Sequence, residues 1–325
     1  QSGGSISNLL TKYPVMVIMN GLGGLAAPLF ITLAGAGTAL SFSAGRTDRE
    51  IFLRGIVLIL FGYLLNIMTP AWFAPWSWYV LHLIGFGMCL FPLLRRVNSY
   101  MLFFIAFLII ISSVILLTHY GMPRYFSNSF MRGSYSVSGI LKLAAFNGNF
   151  PVFPWMALFI AGMASGRWIS SGNYRNIIKA AGLLLLSALA LFLVKQGNFQ
   201  FFNDDFGRRL LMVNLYMYPA YPVQFMTLSS ASLLLVSAAL AAGKRMSFTE
   251  ESIIVLLGRT SLSIFILHII IIRNFMIVSG LWQSFSATAT VMLQLAVIAV
   301  IMILVYFWNR KNFRYGFEWM LRRVK

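Results

Sequence analysis

Long apolar runs separated by short polar connections form the pattern of this chain. An α-helix rises 1.5 Å per residue, so about 20 apolar residues are needed to cross a hydrocarbon core about 30 Å thick. Nine runs approach or exceed that length. The pattern therefore predicts an all-α polytopic membrane bundle. The nine predicted helices cover roughly residues 15–42, 52–69, 78–94, 101–118, 151–169, 176–194, 222–242, 253–272 and 286–308.

The composition agrees with burial in lipid. Hydrophobic residues make up 59% of the chain, charged residues only 10%, and the mean hydropathy is +0.82. Soluble domains carry about 25% charged residues, and a water-soluble fold of 325 residues has too little interior to hide this much apolar surface. The polar stretches are loops, so we interpret residues 1–325 as a single transmembrane domain.

The chain is strongly basic, with 25 Lys and Arg residues against 7 Asp and Glu residues and a formal net charge of +18. The basic residues lie between apolar runs and form no basic domain, so we expect membrane lipids and not nucleic acid as their partners. About two thirds of them fall on alternate connections and on the tail after residue 308. The positive-inside rule then predicts a cytoplasmic C-terminus, with the chain integral to the cytoplasmic (inner) membrane and Gln1 outside.

Three histidines, His82, His119 and His268, lie in or beside predicted spans, towards their outer ends. An ionisable group buried in a membrane is costly, which makes it a candidate functional residue, and histidine is the natural general base near neutral pH. The alternative role is a helix–helix hydrogen bond or an interfacial contact. We favour that alternative for His119 at its loop edge, and both interpretations stay open for His82 and His268.

No metal site is predicted. Three histidines are enough ligands for a zinc ion, but they have neither His-x-x-x-His spacing nor a partner carboxylate. None of the seven acidic residues lies in the middle of a predicted span, which disfavours a proton-coupled carrier.

Two arginines near the predicted inner face are candidates for binding phosphate groups. Arg54 begins the second predicted helix and Arg259 the eighth, and arginine recognises phosphate well. Both also suit the commoner role of a positive anchor at the cytoplasmic interface.

Two long outer connections, 119–150 and 195–221, are rich in aromatic residues, Gly and Asn. Long loops on a compact scaffold often carry function. The acidic residues predicted outside are Asp204 and Asp205, in the segment FQFFNDDFGRR. Carboxylates among aromatic faces suit the binding of a sugar, and a solvated turn beside the two following arginines is the alternative.

The stretch Gly162-Met-Ala-Ser-Gly166 has small residues four apart. Such a pattern lets two membrane helices approach closely. We predict that it packs against another helix of the same chain.

A set of segments occurs in order over most of residues 20–270. The segments are Ala26-Ala-Pro-Leu-Phe-Ile-Thr-Leu-Ala-Gly35, Arg54-Gly55, Trp78-Tyr-Val-Leu-His-Leu-Ile-Gly85, Asn149-Phe-Pro-Val-Phe-Pro-Trp155 with Gly162 to Arg167, and Leu257-Gly-Arg-Thr-Ser-Leu-Ser-Ile-Phe-Ile-Leu-His268. In this order they resemble the membrane acyltransferases related to heparan-α-glucosaminide N-acetyltransferase, a bacterial and archaeal group within the transmembrane acyltransferase superfamily.

The resemblance implies transfer of an acyl group, often acetyl from acetyl-CoA, to an extracytoplasmic acceptor such as a sugar or glycan. It also implies ten or eleven helices, the first of which carries an Arg-Gly pair and a histidine near its outer end. The chain is then expected to lack that first helix. His82 and His268 are the histidines of this sequence that match the family's segments.

The resulting hypothesis is a membrane acyltransferase that receives acyl-CoA from the cytoplasmic side. Direct transfer and an acyl-histidine intermediate both fit it. Its assigned residues are His82, His268 and His119 as catalytic candidates, Arg54 and Arg259 for the CoA pyrophosphate, and Asp204 and Asp205 for the acceptor. The alternatives are a transporter or flippase, which the few mid-span charges disfavour, and a non-catalytic membrane subunit. A homodimer or a larger membrane complex is compatible with each of them.

Overall fold

The computed structural model describes residues 14–70, 72–124, 136–197, 204–213, 219–282 and 284–324, and the regular structure within these ranges is helical. The predicted all-α membrane bundle is therefore confirmed. In the same ranges, two π-helical segments are present, Leu143–Asn147 and Ile269–Arg273. The α-helices are α1 (Pro14–Ser43), α2 (Asp48–Met68), α3 (Val80–Leu94), α4 (Ser99–His119), α5 (Val137–Lys142), α6 (Val152–Ser170), α7 (Tyr174–Gln196), α8 (Asp205–Leu210), α9 (Pro222–Arg245), α10 (Ile253–Arg259), α11 (Ser261–His268), α12 (Asn274–Val278), α13 (Ala287–Asn309) and α14 (Phe317–Arg323).

In the described part of the chain, eight helices are long and apolar enough to cross a membrane. They correspond to eight of the nine predicted runs. The third run instead forms α3, whose 15 residues are fewer than a span normally needs. The turn before this helix is held by hydrogen bonds from the Asn66 side chain to the carbonyls of Pro75 (3.1 Å) and Ser77 (2.7 Å).

The predicted eighth helix is broken by a turn at Thr260. α10 ends at Arg259 and α11 starts at Ser261, so the membrane-spanning part of this run, Ser261–Val278, begins two residues after Arg259, close to the predicted position. The break is stabilised by a distant residue: the Glu318 carboxylate accepts hydrogen bonds from the backbone N–H (2.9 Å) and the hydroxyl of Ser263. Hydropathy does not reveal this break because the stabilising group lies 55 residues along the chain.

α1 and α6 pack backbone to backbone through the predicted small-residue stretch. A methyl group added at Gly162 would lie 2.1 Å from the carbonyl oxygen of Thr32, and one at Gly166 would lie 2.5 Å from that of Ala36. No side chain fits in these gaps, so the predicted internal packing role is confirmed. α6 is 78% buried, more than any other span that the structure describes, and therefore forms the centre of the bundle.

The antiparallel helices give the bundle two ends, which we name the basic end and the aromatic end. The basic end comprises 44–47, 95–98, 171–173, 246–252 and 310–324, and the aromatic end comprises 72–79, 120–124, 148–151, 204–213 and 279–282. Ion pairs join connections within each end, Asp48 to Arg95 at the basic end (2.7 Å) and Arg124 to Asp205 at the aromatic end. The charge distribution predicts that the basic end faces the cytoplasm.

The C-terminal helices edge the bundle. Val305 is the only buried residue of α13, so most of the surface of that helix is left for lipid. The chain then turns back, with the indole N–H of Trp308 donating to the carbonyl of Arg314 (3.0 Å). α14 packs beside α2, where the rings of Phe61 and Phe317 lie edge to face with centroids 4.9 Å apart.

Candidate active site

The side chain of His82 is fully buried between α2 and α3. Its ring lies against Gly62 of α2, where an added methyl group would stand 2.7 Å from Cε1. The rings of Tyr63 and Trp78 contact it, with centroid distances of 4.4 and 5.6 Å. The missing side chain of Gly62 therefore leaves the space that the imidazole fills.

The hydrogen bond of His82 determines its tautomer. Nδ1 accepts from the backbone N–H of Tyr79 at 3.0 Å, so the proton of the neutral imidazole is on Nε2. Nε2 is buried and has no hydrogen-bond partner in the part of the chain that the structure describes. In this geometry Nε2 donates and does not accept, so the general-base role suggested by the sequence would require the bond to Tyr79 to break.

Two other buried polar atoms near His82 lack partners among the described residues, Oδ1 of Asn66 on α2 and Nε1 of Trp78 in the turn before α3. Asn66 is 1% exposed and lies one helical turn beyond Gly62 on α2. Buried polar groups are nearly always hydrogen-bonded, so these atoms and Nε2 of His82 are suited to hold a ligand or water. Sequence reasoning missed Asn66, although an amide inside an apolar run was a visible signal.

A cavity of about 260 Å³ lies at the basic end, between α1, α2, α3, α11 and α14. Its lining combines cationic and hydroxyl side chains with apolar ones. Polar lining residues are Arg46, Arg54, Thr38 and Ser41, and apolar ones include Phe30 and Ile84. Leu58 also lines it, and precedes Gly62 by one turn, or about 6 Å of helix. The cavity thus leads from the basic end towards His82.

The two arginines chosen from the sequence are not brought together. Arg54 lines the cavity with Arg46, which sequence reasoning did not select. Arg54 makes long hydrogen bonds of 3.4 and 3.5 Å to carbonyls at the end of α14, and its Nε is buried without a partner in the described residues. Arg259 is not among the lining residues and pairs with Glu250 at 3.0 Å. A role for Arg259 in phosphate binding stays a prediction without a contact to support it.

His268 has the opposite tautomer to His82. Its Nδ1 lies 3.1 Å from the carbonyl oxygen of Ile264, which can only accept, so Nδ1 carries the proton and Nε2 has the free lone pair. The ring lines an apolar crevice of about 700 Å³ between α11 and α13. His268 is therefore able to accept a proton at Nε2, in contrast to His82.

Two aromatic rings lie between the histidines. Tyr79, whose backbone holds His82, stacks on Phe265 with centroids 6.1 Å apart, and the ring of Phe265 lies 5.7 Å from that of His268. In the part of the chain that the structure describes, no hydrogen bond joins the two imidazoles. Both imidazoles therefore border one aromatic cluster.

His119 lies apart from this cluster. It ends α4 at the aromatic end, is exposed, and packs its ring edge to face on Tyr120 with centroids 5.1 Å apart. This position agrees with the interfacial role that we favour for His119 from the sequence. Its catalytic role stays a prediction.

Asp204 and Asp205 organise the loops at the aromatic end. Asp204 caps α8 by accepting from the N–H of Gly207 (2.8 Å). The two oxygens of Asp205 accept from Arg124 and Arg209, each at 2.7 Å. Partial burial opposes ionisation, but these arginines outweigh it and hold the pKa of the Asp205 carboxyl below its usual value. These contacts give both carboxylates a structural role in the fold. Their binding of an acceptor stays a prediction.

Sequence reasoning also missed a cation that contacts the aromatic end, Arg273. The guanidinium of Arg273 lies over the ring of Trp72 and 4.6 Å from the ring centroid of Trp282. Trp72 in turn contacts Tyr79, with ring centroids 6.0 Å apart. The tryptophans of the 72–79 turn were visible in the sequence, but only the fold shows which cation they contact.

The bundle, its buried histidine and its arginine-lined cavity define a polytopic α-helical membrane protein with a polar site inside the membrane segment. A family model described as heparan-alpha-glucosaminide N-acetyltransferase, catalytic, matches residues 9–196, which is more than half of the chain. The chain belongs to this family, which confirms the resemblance and supports a membrane acetyltransferase-like function. The matched segment includes Arg54 and His82 and ends before His268. No curated protein and no solved structure matches the chain.

Proposed function

We propose that this protein is a membrane acetyltransferase that takes an acetyl group from acetyl-CoA at the basic end and transfers it to an amine or hydroxyl of a sugar or glycan reached from the aromatic end. The observation that carries the proposal is the buried Nε2–H of His82, which has no partner in the described residues and lies beyond an arginine-lined cavity. Membership of the acetyltransferase family supports the reaction type.

The cavity suits the thioester arm of acetyl-CoA. Arg46 and Arg54 supply two cations at the basic end, where the phosphates of the nucleotide would lie, and arginine binds phosphate through paired N–H groups. The long bonds of Arg54 to α14 carbonyls are weak enough for a phosphate to replace. About 260 Å³ accommodates the narrow arm and leaves the nucleotide outside the bundle.

His82 polarises the thioester carbonyl in this mechanism. Its Nε2–H donates to the carbonyl oxygen and stabilises the negative charge that develops there when the acceptor attacks. The bond from Tyr79 keeps the proton on Nε2 and the ring fixed before the reaction begins. One such preorganised donor contributes about 100- to 1000-fold in kcat.

His268 takes the proton. The acceptor nitrogen or oxygen forms a bond to the thioester carbon and gives its proton to Nε2 of His268. The C–S bond then breaks, and CoA leaves as a thiolate that is protonated at the basic end, while the imidazolium of His268 releases its proton to solvent. The free lone pair on Nε2 supports this assignment.

Purified protein in proteoliposomes, supplied with labelled acetyl-CoA and glucosamine as the acceptor probe, tests the proposal. His82→Ala is expected to lower kcat about 100- to 1000-fold, and His82→Gln, which keeps an N–H donor, is expected to retain part of it. His268→Ala is expected to lower kcat about 100-fold or more.

Ser187→Ala is the matched control, because among the described residues its hydroxyl bonds to the carbonyl of Leu183 (2.9 Å), one turn earlier on the same helix. Wild-type rates in both His82→Ala and His268→Ala would overturn the assignment. Uptake of the sugar into vesicles without any need for CoA would instead support a transporter.

A further inference from the structure

The C-terminal helix α14 forms part of the wall of the donor cavity. Leu321 lines the cavity, and Phe317 packs on Phe61 of α2. At the other end of α14, the carbonyls of Arg322 and Val324 accept the long hydrogen bonds from Arg54. α14 therefore contacts α2 at Phe61 and Arg54 and contributes Leu321 to the cavity wall.

A two-way clasp holds this helix in place. Both the backbone N–H and the hydroxyl of Ser263 donate to the carboxylate of Glu318, and the same hydroxyl accepts from the backbone N–H of Phe317 at 2.9 Å. Ser263 is fully buried. The carboxylate also lies at the first turn of α11, where the helix dipole favours negative charge.

Glu318 differs from the other acidic residues. The structure describes all seven of them, and Glu318 alone accepts from the backbone of a different membrane helix. A carboxylate placed against a membrane helix is costly unless it has a function or a strong partner. The helix it holds, α11, carries His268 and lines the cavity through Leu262.

We propose that Glu318 is a positioning residue that clamps α14 onto α11, so that the C-terminal helix completes the acyl-CoA site. The inference rests on the proposed function and extends the donor site beyond the family-matched residues 9–196. Removal of the clamp lets α14 leave the wall, which opens the cavity at Leu321.

The first test compares Glu318→Ala with wild type in the acetyl-transfer assay. We expect the KM for acetyl-CoA to rise at least tenfold with kcat changed less than threefold, because the wall contacts the donor and not the reacting carbonyl. Glu318→Gln keeps an oxygen that accepts from Ser263 and is expected to restore most of the KM. Glu251→Ala, which removes an exposed acid of the basic end, is the matched control.

A second test asks whether Glu318 acts through Ser263. Ser263→Ala should raise the KM in the same direction, and the double variant should be no worse than Glu318→Ala alone. Fully multiplicative effects in the double variant would overturn the clasp.

Hydrogen exchange of the α14 amides separates this inference from the proposed function. Exchange of residues 317–323 should accelerate in Glu318→Ala, with or without acetyl-CoA, while α6 stays protected. If the wild type transfers no acetyl group, the proposed function fails, and calorimetric CoA binding then replaces KM in the same comparison. An unchanged KM in Glu318→Ala, whether or not α14 exchanges faster, would overturn the inference and leave the transferase standing. Where the wild type transfers no acetyl group, an unchanged CoA affinity in Glu318→Ala would overturn the inference as well.

Discussion

The imidazole of His82 fills the space left by the missing side chain of Gly62. The added methyl group of an alanine would lie 2.7 Å from Cε1 and 2.8 Å from Nε2 of the ring. The ring is fully buried and held from the other side by the backbone of Tyr79. The absence of a side chain at Gly62 therefore determines where the His82 ring lies and where its unpartnered Nε2–H is placed.

Gly62→Ala is expected to displace the His82 ring and to lower acetyl transfer at least tenfold. Overpacking a buried site of this kind destabilises a protein by about 1–3 kcal/mol. Gly182→Ala is the control, since a methyl group there meets no atom within 4 Å and alanine favours the helix. The acetyl-transfer rates and thermal unfolding temperatures of both variants test this prediction. Equal activity in the two would show that the ring position is unimportant.

His82 and His268 are expected to show opposite tautomers in nitrogen NMR of protein labelled at histidine. His82 should carry its proton on Nε2 because Nδ1 accepts from Tyr79, and His268 should carry it on Nδ1 because that atom donates to a carbonyl. His82→Gln and His268→Gln assign the signals. A proton on Nδ1 of His82 would remove the carbonyl-polarising role.

The KM for acetyl-CoA should depend on the arginines that line the cavity. Arg46→Gln and Arg54→Gln are each expected to raise it about tenfold, equivalent to about 1.4 kcal/mol, with kcat nearly unchanged. Arg245→Gln, at the end of α9 outside the cavity lining, is the control. A larger rise in the KM for Arg259→Gln than for Arg54→Gln would contradict phosphate binding at the cavity. It would favour the role for Arg259 that the sequence suggests.

The contact between α1 and α6 should not tolerate a side chain. Gly162→Ala places a methyl group 2.1 Å from a backbone oxygen of Thr32, which cannot rotate away as a side chain would. We expect loss of the folded protein, measured as loss of the monodisperse peak in detergent. Gly243→Ala, which meets nothing within 4 Å, should behave as wild type. A folded Gly162→Ala protein would show that the helices separate easily.

The loops at the aromatic end should loosen in acid. The folded-state pKa of Asp205 lies below the ordinary value of 3.8, so its stabilisation is present above pH 3.8 and is lost as the pH falls through the lower folded-state pKa. After correction for the intrinsic slowing of amide exchange in acid, the protection factors of residues 204–213 should be lower at pH 3 than at pH 6, and high salt should reduce the difference, since Asp205 is partly exposed. Asp205→Asn should abolish this pH response, whereas Glu251→Gln should keep it.

The sequence by itself determined the features that depend on lipid as a solvent. Apolar length predicts where helices lie because backbone groups in hydrocarbon must be bonded within the helix. The small residues from Gly162 to Gly166 predicted a close helix contact because small side chains let two helix backbones approach each other. His82 was also a visible candidate, because an ionisable residue is conspicuous in apolar sequence.

Tertiary structure decided what each candidate is able to do. The tautomers of His82 and His268 follow from single hydrogen bonds, which periodicity does not encode. Arg46 lines the cavity together with Arg54, and Arg259 does not, because of which helices surround the cavity. The break at Thr260 is stabilised by Glu318, which lies far along the chain. Such a contact forms only when the chain has folded, so the local sequence does not reveal the break.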